Sequence, residues 1–232
     1  MKGRWGLGVG ASFLYYIISS VSMFVVGLLV MFSGIFLSES VNASSSVAGD
    51  ESLKTIGVIF YILTFVSMSI VILVVKSIMD YGYCNLTLRL AKKESTTIGN
   101  LFEGFYRKNV FRLIKLALLM FVYTFLWGLL FIIPGIIKLF SYSMSYYILL
   151  DNPECTASEA IKKSKEMMKG HKWDLFVLSL SFIGWLILCV IIWFFIIGIP
   201  FLWFYPYYFT TVSHFYLKLV NKGAATEEET VI

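Results

Sequence analysis

Residues Phe125–Pro153 read FLWGLLFIIPGIIKLFSYSMSYYILLDNP. The run is too long and too apolar for one globular helix, and Pro134-Gly135 interrupts it. Proline has no backbone N–H and its ring collides with the preceding turn, so a helix breaks around it. Backbone in hydrocarbon must satisfy its own hydrogen bonds. Two apolar segments joined by almost nothing polar therefore predict a tight transmembrane hairpin bent at Pro134 and Gly135.

Composition carries this reading to the whole chain. Of 232 residues, 59% are hydrophobic and 14% charged, with a mean hydropathy of +0.82. Soluble domains sit near half apolar and a quarter charged, so the expected fold class is an all-α polytopic membrane protein. Runs of ~18 or more apolar residues mark spans. They predict six transmembrane helices at about 12–37, 55–79, 110–133, 136–150, 174–199 and 201–220, in one integral membrane domain over 1–220. A second bend falls at Gly198-Ile-Pro200. Ser38 to Lys54 is rich in serine, with Asn42 and Gly49, and reads as a solvated loop. The 221–232 segment, with Thr226-Glu-Glu-Glu-Thr230, reads as a disordered acidic cytoplasmic tail.

The net charge of +5 does not form a basic domain. Nearly all its lysines and arginines lie at the N-terminus, in the two long polar intervals and near the C-terminus, with only Lys54 in the first loop, as the positive-inside rule requires of a protein with both ends cytoplasmic. Nucleic acid is not an expected partner. Lys2 and Arg4 before an apolar run imitate a signal peptide, but Ser12–Leu37 exceeds the usual ~7–15-residue core of one, so a retained first span is expected. Cys84, Cys155 and Cys189 form no CxxC pair and no disulfide framework, and read as free thiols.

Two cytoplasmic interfacial amphipathic helices are expected between spans. In the first, Ile98, Leu101, Phe102 and Phe105 recur at i, i+3, i+4, i+7, with Asn100 and Glu103 as a capping signal. In the second, Thr156 and Glu159 form a capping box. Ala157, Ala160, Ile161, Ser164, Met167 and Met168 then share a face opposite Lys162, Lys163, Lys165, Glu166 and Lys169. A basic helix of this kind lies along headgroups.

An offset of 66 residues superposes Gly104 on Gly170, Trp127 on Trp193, Pro134 on Pro200 and Tyr142 on Tyr208. With Asp80 and Cys84 answering Asp151 and Cys155, the chain reads as three related hairpin repeats, parallel because each starts and ends inside.

FIIPGIIKLFSYSMSYYILLDNP, ASEAIKKSKEMMKGHKWDLFVLSLSFIGW, YGYCNLTLRLAKKE and LFEGF (Leu101 to Phe105) together resemble the bacterial integral membrane family catalogued as domain of unknown function 975. The resemblance implies a multi-span protein of a bacterial plasma membrane. It transfers no catalytic residue.

The residues offer little chemistry. His171 and His214 are far apart, there is no HExxH and no Walker A loop, and Asp151 with Glu154 flanks Asn152-Pro153 as turn and cap residues do. Asp80 and Asp174 read the same way. No enzyme activity, cofactor or metal is expected. No carboxylate falls mid-span, which argues against a pump built on buried acids. Lys138 is the exceptional charge, one turn past Pro134. Either it snorkels to the outer face or it turns inward near Ser141 and Tyr142 to hold an anionic headgroup or peptide carboxylate. Trp127, Trp193 and Tyr208 complete the expected ligand site. The expected function is a non-enzymatic membrane protein that binds a lipid or membrane-active peptide, in tolerance, immunity or envelope maintenance. The alternative is a small permease or the membrane subunit of a transporter with a partner chain.

Overall fold

The computed structural model describes residues 5–46, 51–106, 110–193 and 199–231; at 43–46, 51, 53, 106, 193, 199 and 224–231 only the backbone is described. Every regular element among them is helical: α1 (Trp5–Ser46), α2 (Glu51–Ala91), a 3-10 turn (Ile98–Phe102), α3 (Glu103–Tyr106), α4 (Val110–Leu130), α5 (Ile132–Tyr142), α6 (Ser145–Asp151), α7 (Ala157–Met167), α8 (Lys172–Ser181), α9 (Ile183–Trp193) and α10 (Ile199–Val231). Five stretches are long and apolar enough to cross a membrane: Trp5–Asn42, Lys54–Ala91, Val110–Leu130, Ile132–Asp151 and Lys172–Ile192. The bend expected at Gly198 lies outside the described residues, while Pro200 occupies the second position of α10, where a missing N–H costs least.

The chain forms two compact units. The first to consider is Tyr16–Lys76, built from the distal part of α1 and the proximal part of α2. Phe36 meets Phe60 edge-on at 5.1 Å, and Gly57 allows close approach to Ser40, whose hydroxyl a Cβ there would meet at 2.0 Å. The expected solvated loop is largely absent, because α1 continues to Ser46 and α2 begins at Glu51. Ser40 donates to the Leu37 carbonyl at 2.8 Å, and Ser22, Ser33, Ser67 and Ser69 likewise donate to carbonyls three or four residues back. A serine that satisfies itself in this way needs no water, so a serine-rich stretch stays helical.

The other unit, Met1–Tyr15 with Ser77–Ile232, holds the main core. The polar interval expected from Asp80 is instead the last part of α2, with Met79, Tyr83, Leu86 and Thr87 fully buried. Its polar groups are partnered: Tyr15 donates to Asp80 at 2.7 Å, Ser12 and Tyr83 hydroxyls lie 2.8 Å apart, and Thr87 donates to the Tyr83 carbonyl at 3.0 Å. Asp80 thus lies inside a helix rather than at its end. After α2, Thr97 caps the 3-10 turn, its N–H donating to Asn100 Oδ1 at 2.8 Å. The expected Asn100–Glu103 cap is not formed, because Glu103 takes a hydrogen bond from Asn85 and pairs with Arg89 at 3.7 Å. Of the four residues expected on one helix face, Leu101 is buried and Phe102 half-buried, while Ile98 and Phe105 are exposed.

The α4–α5 turn falls at Phe131, which has extended backbone, not at Pro134-Gly135. In a continuous helix Pro134 would collide with the Leu130 carbonyl four residues back; turning at Phe131 removes that carbonyl and leaves Pro134 in the first turn of α5. Gly135 has a separate duty. A Cβ there would stand 2.8 Å from Gly128 Cα, so the glycine lets α4 and α5 pack backbone to backbone. The core continues through Tyr147, stacked on Tyr216 at 5.2 Å, and Ser213, which donates to Thr87 Oγ1 at 3.1 Å. The tail expected to be disordered continues α10 to Val231; Ala224, Ala225 and the glutamates are strong helix formers.

Candidate functional site

The Gly128–Gly135 approach sets two side chains against each other: Lys138 Nζ lies 4.4 Å from the centroid of the Trp127 ring. One turn away on each helix, Tyr123 and Tyr142 meet with centroids 6.2 Å apart. The third wall is α7. Its N-terminus carries the expected capping box, with Thr156 N–H donating to Glu159 Oε2 at 2.8 Å and Glu159 N–H to Thr156 Oγ1 at 3.3 Å. Ala157, Ala160, Ile161, Ser164 and Met168 are buried, and Lys162, Lys163, Lys165 and Lys169 are exposed. Two polar contacts fix the helix. Buried Ser164 donates to the Ser141 carbonyl at 2.8 Å, and Arg112 donates to the carbonyls of Pro153 and Cys155, the latter at 2.8 Å.

These three helices enclose a cavity of about 280 Å³ lined by Tyr123, Trp127, Lys138, Tyr142, Ser158, Ile161, Lys162 and Lys165. Three of the lining residues are lysines, and the Lys138 ammonium sits over the Trp127 ring. Among the described residues no carboxylate lines the cavity, and none of the three lysines is in a salt bridge. The charges acting on Lys138 are those of Lys165 and Lys172, both of like sign. Like charges gathered together are destabilising, and an anion between them relieves that cost; of the three, Lys162 also borders carboxylates, in the adjoining cavity lined by Glu154, Glu159 and Glu166. The Trp127 face offsets part of it, at ~0.5–1 kcal/mol for a partly exposed cation–π pair.

Glu159 does not supply the missing charge. Its carboxyl is held below the ordinary glutamate range, first by the Thr156 backbone N–H and then by the Thr156 hydroxyl, and it does not line the cavity. Cys155 is buried, and that burial pushes its thiol up, away from nucleophilic reactivity. Among the described residues no group of three His, Cys, Asp or Glu could hold a metal ion.

Of the expected site residues, Lys138, Trp127 and Tyr142 come together. Ser141 is adjacent but turned away, its hydroxyl donating to the Ile137 carbonyl at 2.7 Å. Tyr208 belongs elsewhere, 3.3 Å from Ser179 and packed on Phe182 and Phe204. The Trp193 side chain lies outside the described residues. Lys138 was expected near the outer face, far from the basic helix; it shares a cavity with that helix instead. The residues missed are Tyr123, Ser158, Ile161, Lys162 and Lys165. Their signal was the spacing of Ser158, Lys162 and Lys165 at i, i+4, i+7, one flank of α7.

Three larger cavities differ in kind, and the one of about 450 Å³ is lined by Glu154, Glu159 and Glu166 together with Lys162 and Lys163. One of about 930 Å³ mixes Asp151 and Glu166 with Lys163, Lys169 and Lys222. Another of about 420 Å³ is walled by Trp5, Trp185, Trp203, Phe204 and Tyr207, with no charged lining residue among those described.

The elements that supply Lys138, Tyr142 and the α7 wall fall inside a recognisable sequence unit. Residues 129–223 match the family described as "Protein of unknown function (DUF975)". The resemblance seen in the sequence holds over that stretch. Tyr123 and Trp127 lie before it, so the DUF975 segment contributes the cations and the preceding helix most of the aromatic wall. No curated protein and no solved structure matches the chain.

Proposed function

We propose that this chain is a non-enzymatic membrane protein that binds an anionic lipid, with the headgroup held in the lysine cavity of α4, α5 and α7. The observation that carries the reading is the set of three lysines, from two helices, around an aromatic-walled cavity with no lining carboxylate among the described residues. A lipid suits it better than a membrane-active peptide, because the α4–α5 tip beyond the cavity is a continuous apolar surface: Leu126, Leu129, Leu130, Phe131, Ile132 and Ile133 are all exposed. We assign it to the bacterial plasma membrane, with both termini cytoplasmic, in a tolerance, immunity or envelope-maintenance role.

The same cavity bears on how the chain crosses the membrane. A lysine at the bilayer centre costs ~2.5–3.5 kcal/mol on insertion scales, so the exposed lysines of α7 belong at the headgroups. Lys138 shares their depth. From Lys138 to the turn at Phe131 is seven residues, about 10 Å of helix, against a core of ~30 Å. The sequence-based count of six spans, three hairpins and two interfacial helices then narrows. On this reading the α4–α5 hairpin dips into the cytoplasmic leaflet and returns, although both its arms are long and apolar enough to cross. The crossing elements are then α1, α2 and α8–α9, together with α10, the span expected at 201–220. The even number keeps both ends on one side.

Titration of the detergent-purified chain with dioctanoyl phosphatidylglycerol and dioctanoyl phosphatidylcholine, followed by native mass spectrometry, tests the binding. Phosphatidylglycerol should bind more tightly, and Lys138→Gln should reduce the difference. Equal binding of the two lipids by the wild-type chain would sink the reading. In the permease alternative, reconstituted vesicles show saturable solute flux; a binding protein leaves them tight.

A further inference from the structure

We infer that the headgroup this cavity selects is a phosphomonoester, the terminal dianionic phosphate of a lipid, in preference to a phosphodiester; this rests on the preceding reading of the cavity as a headgroup site. Counting charges and donors leads there. Lys138, Lys162 and Lys165 present three cations, and each ammonium is a donor with no acceptor capacity. Ser158 adds a hydroxyl on the same flank of α7. A phosphomonoester carries about −1.5 to −2 at neutral pH and three terminal acceptor oxygens. A phosphodiester has a single charge and two free oxygens, so it offers fewer acceptor sites and leaves the cavity with more positive charge uncompensated.

Size and shape agree. Tyr142 and Ile161, 3% and 4% exposed, form the closed side. At ~30 Å³ per water, about 280 Å³ holds a phosphate with part of its hydration. That volume also admits a small esterified alcohol, so charge and acceptor count carry the preference, and a terminal phosphate needs only one exit, for its own lipid. Tyr123 and Trp127, 41% and 39% exposed, form the half-open side, on the helix that leads to the apolar tip. A chain leaving there follows lipid-facing surface.

The test compares dioctanoyl phosphatidic acid, phosphatidylglycerol and phosphatidylcholine on the full-length purified protein by native mass spectrometry at pH 7.5 and pH 5, with glycerol 3-phosphate as a soluble competitor. The inference expects phosphatidic acid to bind about tenfold or more tighter than phosphatidylglycerol at pH 7.5, as one additional charge contact implies. That advantage should shrink severalfold at pH 5, below the second phosphate pKa of ~6, while phosphatidylglycerol is unchanged. Lys162→Gln and Lys165→Gln should each lower the ratio of the two anionic lipids and leave phosphatidylcholine unaffected. Equal binding of the two anionic lipids, both above phosphatidylcholine, overturns the phosphomonoester preference and spares the anionic-lipid reading. No lipid above phosphatidylcholine overturns both. Glycerol 3-phosphate competing as well as phosphatidic acid overturns the lipid-borne part, because the site then reads a soluble phosphate. The wild-type ratios decide these outcomes even if a variant fails to fold.

Discussion

Gly135→Ala puts the hairpin beneath the cavity under direct strain. The new Cβ would stand 2.8 Å from Gly128 Cα and 3.1 Å from Gly128 N. Carbon atoms pack at ~3.5–4.0 Å, so α4 and α5 must separate by roughly 0.7–1.2 Å. No side chain can swing aside, since the obstacle is glycine backbone. Overpacking of this kind costs about 1–3 kcal/mol, offset by ~0.5–1 kcal/mol from replacing a helical glycine, for a net loss of about 1–2 kcal/mol. In a chain of this size 1 kcal/mol moves Tm by ~2–4 °C, so a drop of roughly 2–8 °C is expected. The reciprocal change is the control. A Cβ on Gly128 meets nothing within 4 Å, so Gly128→Ala should leave Tm unchanged or raise it slightly. Both are read by tryptophan fluorescence on heating in one detergent. A Gly135→Ala protein as stable as Gly128→Ala would refute the backbone-to-backbone packing, and with it the geometry that sets Trp127 against Lys138.

Gly82→Ala should be more severe, because its Cβ would lie 1.8 Å from the Leu101 carbonyl oxygen; a loss of at least about 3 kcal/mol, with rapid proteolysis between 92 and 106, is expected, and wild-type protease resistance would contradict it. Asp151 accepts from Lys92 and Tyr216, both at 2.8 Å. Asp151→Asn keeps an acceptor for the tyrosine and should cost no more than ~1 kcal/mol, the worth of a partly exposed ion pair, whereas Asp151→Ala should cost about 1–3 kcal/mol; equal losses by denaturant titration would show that Tyr216 gains nothing from the contact. Glu159 has its carboxyl lowered by its bonds to Thr156, so its contribution is present above the ordinary glutamate value and disappears as pH falls through the lowered one. Wild type should therefore exceed Glu159→Gln in Tm near neutral pH and converge with it in acid; parallel curves throughout would deny the linkage.

What could be read from the residues alone divides along the range of the forces involved. Pro134 announced a broken apolar helix, and the Thr156–Glu159 box announced α7, because both act within one turn. The residue that turns, Phe131, was not visible: a proline forbids the helix upstream of it without naming the exit. Gly128 was invisible for another reason, since its contact is with Gly135 across two helices. Serine-rich 38–46 was misread because loop propensity assumes water as the competing partner, and Ser40 finds Leu37 instead. Glu103 was assigned to a cap by spacing and then taken by Arg89 and Asn85. Lys138 stood out as a charge in an apolar run. Lys162 and Lys165 did not, because periodicity puts them opposite the buried face of α7 and cannot say that its flank covers a hairpin.

The lipid retained after mild extraction from the native membrane, quantified by mass spectrometry for the wild-type chain and for a variant with Lys138, Lys162 and Lys165 all changed to glutamine, bears most directly on the lysine cavity. If the cavity holds a headgroup, the wild-type protein carries an anionic lipid at near-unit stoichiometry and the variant, folded and equally stable, loses it. The same lipid retained in equal amount by both would contradict headgroup binding at these lysines.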